Sequence, residues 1–487
     1  MRANRKTAGR QAVVVAVARR PKEVDAVVDV EAMSAVYSEL IAAHPTWDAL
    51  SAFLRSPEGG SLRIVPGFHE YAPYMLIRYV KGKSDLSIPH VRAFRSVVWD
   101  ILRNRPVSVT AAKSVDGEGF PASETTEGYT VERFEDGSLI GVFYDTYNEQ
   151  WTLHTRTTPG GICRYYSTKS FADLFEEATT ALNLNLLDRN TSYTCILQHP
   201  ENRIVTRYRQ PSIVFVEQAA IDASGVVTLS TPRRETFPFS AHVPLRYEVG
   251  ATWDSVRSKI VEIDRTSDRI EQGVVIKDAQ GKRWKLRTTR YNSIRKMRGN
   301  NARLDFLYLT QWKLGTLPQY LEIYPEERRA TVELLERWKR MTRDVYHVHA
   351  DVFKARSLPR TSIPPKIRPF VYGLQDLYHE LRATNQKIDW ETAKKYMNER
   401  DVPQMLFCLN WEFRQAREQL GLRSIPIEEP ASHGTDVVSS ESDTVTASTA
   451  FTPSEPPAAS EPPAASEPPA ASEPPAASEP PTLSAAN

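Results

Sequence analysis

Two short stretches of this 487-residue chain gather residue types suited to phosphate or metal chemistry. Phe134-Glu135-Asp136-Gly137-Ser138 sets two adjacent carboxylates beside a glycine, and Gln272-Gly273-Val274-Val275-Ile276 is followed closely by Lys285-Leu286-Arg287. Arg203, Arg207 and Arg209 lie between them, and Arg290, Arg295, Lys296 and Arg298 come after. Guanidinium and ammonium groups neutralise phosphates, and carboxylates steer divalent ions. Plainer readings stand beside these. Asp136-Gly137 is also a tight hairpin turn, since both residues tolerate positive φ. Phe134 is also a core residue, and the basic run from Arg287 to Arg298 is also the start of a solvated helix. The cysteines argue against zinc and a disulfide framework: Cys163, Cys195 and Cys408 are odd in number and far apart, with no Cys-x-x-Cys. His347 and His349, two apart in a helical pattern, point to different faces.

The elements that must position these residues change character along the chain. Residues 1–22 carry seven basic residues and no acid, which predicts a disordered arm. Residues 23 to about 300 are read as one domain, strand-rich from roughly 60 to 300. Leu139–Tyr144, Trp151–His154, Ile204–Tyr208, Ile213–Val216, Val274–Ile276 and Arg283–Arg287 are the expected strands. Phe171–Leu182 reads as a helix with Phe171, Leu174, Phe175 and Leu182 on one face. From 301 to 424 the period becomes helical, with Leu334, Trp338, Met341 and Val345 on one stripe and Leu374, Leu377, Tyr378 and Leu381 on another. The last segment, 425–487, repeats Ser-Glu-Pro-Pro-Ala-Ala from Ser454 to Pro481. Its proline pairs and scarce apolar surface predict a disordered spacer.

Charge is asymmetric. Ten acids and no Lys or Arg follow Arg423, so the chain's net +2 resolves into −10 in the tail and +12 before it. A basic body suits a polyanionic partner such as RNA, and an acidic tail suits a protein partner. No apolar run reaches the length of a membrane span. Ala12–Ala18 ends in Arg19-Arg20 without a small-residue cleavage pattern, so an intracellular protein, cytoplasmic or nuclear, is expected.

In order, the motifs resemble those of ATP-dependent RNA ligases of the phage tRNA-repair type, over about residues 70–300. Arg95-Ser96-Val97-Val98-Trp99-Asp100 is similar to that family's Arg-Gly-hydrophobic segment, with Lys113 matching a lysine that follows it. Phe134–Leu139 resembles the Lys-Glu-Asp-Gly-Ser-Leu nucleophile motif, and Pro200–Val205 a Pro-x-Asn-Arg-Ile-Val segment. Glu271–Lys277 and Trp284–Tyr291 resemble the fourth and fifth motifs. A similar degenerate pattern is familiar from uncharacterised proteins of large DNA viruses. The resemblance implies an α+β nucleotidyltransferase (ligase adenylylation) domain with antiparallel sheets, followed by an all-helical domain. It also implies ATP and Mg²⁺ as cofactors.

Family chemistry begins when a lysine amine attacks the α-phosphate of ATP, with cations absorbing the charge that develops. By resemblance, Arg95, Lys113, Lys285 and Arg287 are the phosphate cations, and Glu135, Asp136, Gly137 and Gln272 line the nucleotide site. The charged catalytic positions are eroded. The nucleophile position is Phe134, the third-motif glutamate falls on Ile196, and the fourth-motif glutamate is Gln272. Arg133 is permanently protonated and is no substitute nucleophile. Lys113, in Lys113-Ser114-Val115-Asp116-Gly117, is the candidate for a relocated one. The leading expectation is an RNA-binding protein that has lost self-adenylylation. Arg203, Arg207, Arg209, Arg290, Arg295 and Lys296 would contact RNA, and Tyr208 and Tyr291 would serve as stacking or core residues. The alternatives are a ligase using Lys113, one sealing only pre-adenylylated RNA, and a scaffold acting through its tail.

Overall fold

A computed structural model describes residues 30–68, 72–116, 126–278 and 282–420. The expected basic arm and acidic tail lie outside these residues. In chain order the strands are β1 (Arg63–Val65), β2 (Tyr74–Arg78), β3 (Val97–Asp100), β4 (Arg105–Val109), β5 (Val115–Asp116) and β6 (Thr130–Arg133). They continue as β7 (Ser138–Asp145), β8 (Gln150–Thr155), β9 (Thr191–Gln198), β10 (Ser212–Ile221), β11 (Val227–Ser230), β12 (Gly273–Lys277) and β13 (Arg283–Arg287). Three sheets result, with strand orders β1-β2-β3-β4, β11-β10-β9-β7-β8 and β5-β13-β12-β6. Every pairing is antiparallel except β5 on β13.

Each sheet buries one face under helices. Helices α1 (Val30–Ala43), α2 (Trp47–Arg55) and α3 (Pro89–Ala93) join the first sheet in a core around Tyr37, Leu54 and Trp99. On β9, Tyr193, Cys195 and Leu197 pack with Phe171, Leu174 and Phe175 of α4 (Phe171–Thr179). That helix starts where the sequence expects, because Ser170 and Asp173 form a reciprocal capping box. On the third sheet, Val131, Val274, Ile276 and Trp284 pack on Val256 and Ile263 of α5 (Trp253–Thr266).

The alternate residues of β9 face the other way. The hydroxyls of Ser192 and Thr194 accept the N–H groups of Val109 (3.0 Å) and Ala111 (2.9 Å), which docks the first sheet on one end of that face. The other end, with Ile196 and Gln198, is turned toward the third sheet.

The remaining helices are α6 (Thr289–Arg298), α7 (Leu304–Lys313), α8 (Leu317–Ile323), α9 (Arg328–His349), α10 (Arg368–Arg382), α11 (Trp390–Asn398), α12 (Val402–Leu409) and α13 (Trp411–Gln419). Leu334, Trp338, Met341 and Val345 are all buried along α9, as their spacing predicts. Each such burial contributes roughly 1.5–3 kcal/mol. The same apolar cluster takes in Ile204, Val205, Tyr291 and Ile294. One continuous core therefore runs across the position where the sequence suggests a boundary, and the described residues belong to one compact unit. The fold class is α+β, with antiparallel sheets and a helical C-terminal part.

Two local expectations are corrected. Ile204–Tyr208 is irregular chain, not a strand. Its apolar residues enter the helical core, and the N–H groups of Val205 and Thr206 go to the Asp136 carboxylate instead of a strand ladder. Asp136-Gly137 is not a hairpin turn but part of the link from β6 in the third sheet to β7 in the second. Gly137 has φ of +145°, and a Cβ there would collide with the Leu197 carbonyl.

Candidate functional site

The crossing Phe134–Gly137 places the nucleophile-motif residues between the second and third sheets. Phe134 donates its N–H to the Gly273 carbonyl at 2.9 Å. Gly273 is the register partner of Arg287, so Arg287 reaches Phe134, with its guanidinium carbon 5.6 Å from the ring centroid. Gly273 has φ of +133°, and a Cβ there would meet the Leu286 carbonyl, so only glycine suits this approach.

Directly paired residues of an antiparallel ladder share a face. Arg283, Lys285 and Arg287 of β13 thus lie with Lys277, Val275 and Gly273 of β12, on the face opposite α5. Glu132 of β6 joins them as the partner of Val275. The inner part of this layer is tied internally. Lys277 Nζ contacts Glu132 at 2.7 Å and donates to the Val216 carbonyl (2.9 Å) and Thr231 Oγ1 (3.1 Å), so its amine is fully engaged. Burial lowers the Lys277 pKa, with Glu132 opposing that shift. Arg283 Nη1 faces Glu217 at 3.8 Å. Burial raises the Glu217 pKa against the pull of Arg283, Lys277 and Arg95.

The outer part is cationic. Lys285 is buried, at 5% exposure. Arg287 is half-buried, and its Nε and Nη2 are shielded from solvent with no hydrogen-bond partner. These two groups form one edge of the guanidinium, the edge that grips an anion with two parallel hydrogen bonds. Arg95 donates to the carbonyls of Ala111 (3.1 Å) and Ala112 (3.2 Å), and its charge is felt by Glu217. Lys113 is exposed just ahead of β5, which runs beside Lys285.

The two motif carboxylates are engaged within the protein. Glu135 is buried, accepting from Arg133 Nε (2.6 Å) and Gln198 Nε2 (3.0 Å). Burial raises its pKa against Arg133 and Gln198. Asp136 accepts from Tyr291 Oη (2.7 Å), Val205 N (3.0 Å) and Thr206 N (2.8 Å), and its backbone carbonyl accepts from Tyr208 Oη (2.7 Å). Burial and the Asp136 charge push the Tyr291 hydroxyl well above the usual phenol range, so it remains a donor. Both tyrosines therefore brace the crossing segment.

The residues do not fit the divalent ion that the resemblance implies. Glu135 and Asp136 are buried and already hold protein donors, Glu271 is paired with Arg269 at 2.7 Å, Gln272 carries no charge, and Ile196 offers no donor atom. Among the described residues no group of three or more His, Cys, Asp or Glu side chains is placed to hold a metal. Ile196 is instead half-buried on the face of β9 that also carries Gln198, in register with Leu139 and Val214.

The expected RNA contacts separate. Arg207 and Arg209 are exposed, as are Arg290 and Lys296, while Arg295 is half-buried. At about 100° per residue, Arg290, Arg295 and Lys296 do not share one face of α6. Arg203 corrects the expectation of a surface contact. It is 6% exposed, donates to the carbonyls of Val205 (3.0 Å) and Ile323 (2.9 Å), pairs with Glu326 at 2.7 Å and lies over the Tyr324 ring. Arg298 is likewise buried, bonded to Glu327 at 2.6 Å and to Tyr320, between the rings of Tyr166 and Tyr324. Sequence reading missed that role, although Tyr291, Ile294 and Arg298 at i, i+3 and i+7 mark one buried stripe.

Among solved structures, this chain is similar to two forms of an archaeal ATP-dependent RNA ligase. The first is 11% identical with a TM-score of 0.35, covering 62% of this chain and 78% of that one. The second is 12% identical with a TM-score of 0.32, covering 63% and 82%. A protein assigned as an ATP-dependent DNA ligase from Aquifex aeolicus is 14% identical with a TM-score of 0.34, covering 59% and 78%. No family model and no curated protein matches the chain. Among the described residues no helix is long and apolar enough to cross a membrane.

Proposed function

We propose that this chain binds RNA ends between its second and third sheets, on a ligase-like scaffold that no longer adenylylates itself. The observation that carries this reading is Arg287, whose Nε and Nη2 are buried without a partner beside Lys285. Two unsatisfied charged donors on one edge cost several kcal/mol unless an anion is taken up there. A phosphate fits that fork better than a carboxylate side chain, since the nearby carboxylates already hold other partners.

Two features support the reading that the covalent step is lost. Phe134 has no nucleophilic atom, and the amine of Lys277 is held by three acceptors. Arg207, Arg209, Arg290 and Lys296 are exposed, and each is a separate candidate contact for the phosphates that follow.

The test is fluorescence anisotropy of a 5′-phosphorylated single-stranded oligoribonucleotide across a salt series. Lys285→Ala and Arg287→Ala are each expected to weaken binding. Each should also reduce the steepness of the log–log salt dependence by about 0.7, one single-strand phosphate contact. Unchanged affinity in both variants would overturn the reading.

A further inference from the structure

Phe134 is not a core residue. It is half-buried and belongs to none of the apolar clusters among the described residues. Its position is fixed by backbone instead. Its N–H is bonded to Gly273, and the next two residues are locked, Glu135 by Arg133 and Gln198, Asp136 by Tyr291 and the 205–206 amides. A benzyl ring is thus anchored on a hydrogen-bonded segment, with the Arg287 guanidinium over its face. Half-buried Leu139 and Ile196 continue the apolar wall on the facing sheet.

A flat ring, an adjacent guanidinium and an apolar wall together suit an unpaired nucleobase, which stacks on aromatic faces whatever its sequence. Resting on the reading of this region as an RNA-end site, we propose that Phe134 is the stacking platform for the terminal unpaired base. The free edge of Arg287 takes the phosphate of the same nucleotide. The residue in place of the nucleophile then has a binding role: it holds by stacking, without covalent attachment, the nucleotide next to the phosphate.

The test uses the full chain and two short 5′-phosphorylated oligoribonucleotides, one with 2-aminopurine at the first position and one abasic there. Phe134→Ala is expected to weaken binding of the 2-aminopurine oligonucleotide about tenfold and to change binding of the abasic one less than about twofold. Phe134→Trp should restore affinity. 2-Aminopurine emission should be quenched on the native protein and on Phe134→Trp, but not on Phe134→Ala. Circular dichroism checks that each variant is folded. Equal losses for both oligonucleotides in Phe134→Ala would overturn the platform, because the ring would then act only by placing Arg287. No loss in Phe134→Ala alongside a loss in Arg287→Ala would also overturn it, while leaving the RNA-end reading intact. No loss in either variant would overturn both.

Discussion

Replacing Asp136 by alanine removes the acceptor for three donors at once: the Tyr291 hydroxyl and the Val205 and Thr206 amides, at 2.7, 3.0 and 2.8 Å. All three are buried. At about 1–3 kcal/mol for each stranded group, and with water recovering part of the loss, Asp136→Ala should cost about 4 kcal/mol. Asp136→Asn should cost only about 1 kcal/mol. Its amide oxygen can accept from both backbone N–H groups, and its NH₂ can donate to a rotated Tyr291 hydroxyl. Tyr291→Phe should cost about 1–2 kcal/mol and, combined with Asp136→Ala, should add little beyond the larger single effect. Urea denaturation followed by far-ultraviolet circular dichroism gives these differences. A carboxylate kept for metal binding behaves oppositely, since its removal leaves stability unchanged or raises it. A loss under about 1 kcal/mol for Asp136→Ala, or equal losses for Ala and Asn, would refute the assignment of Asp136 as a brace.

His154 is buried between the hydroxyls of Ser96 (3.1 Å) and Ser108 (2.9 Å), and burial lowers its pKa to about 4. Because the folded pKa lies below the unfolded value, its stability contribution is full above about pH 6.5 and drains away as pH falls toward 4. Between pH 7 and pH 5 the loss should be about 2 kcal/mol, and His154→Gln should flatten that dependence in urea titrations. Gly273→Ala should destabilise by about 2 kcal/mol or more, through positive φ and collision with the Leu286 carbonyl, read as a lowered melting temperature. Arg203→Ala should lower stability by about 2–3 kcal/mol with RNA affinity within twofold, whereas exposed Arg207→Ala should leave stability within about 0.5 kcal/mol and weaken RNA binding.

Much of the fold is legible because apolar spacing reports the buried face directly. Strands β7, β8, β10, β12 and β13, helix α4 and the α9 stripe all appear where their periodicity predicts. What the sequence hides depends on partners far along the chain. Ile204–Tyr208 has a strand-like composition, yet two of its amides go to a carboxylate some seventy residues earlier, which local propensity cannot encode. Arg203 looks like a surface cation because Glu326 and Tyr324, which make its burial tolerable, lie in the helical part. The loss of motif acids is plain from composition. The internal pairing of those that remain is visible only in the hydrogen bonds of Glu135 and Asp136.

The most direct test of the central claim is incubation of the full chain with α-labelled ATP and Mg²⁺ or Mn²⁺, followed by denaturing electrophoresis. The expected result is no covalent label on protein that still binds 5′-phosphorylated RNA. An acid-labile, hydroxylamine-sensitive label that disappears in Lys113→Ala would contradict the claim and make the chain a self-adenylylating ligase with a relocated lysine.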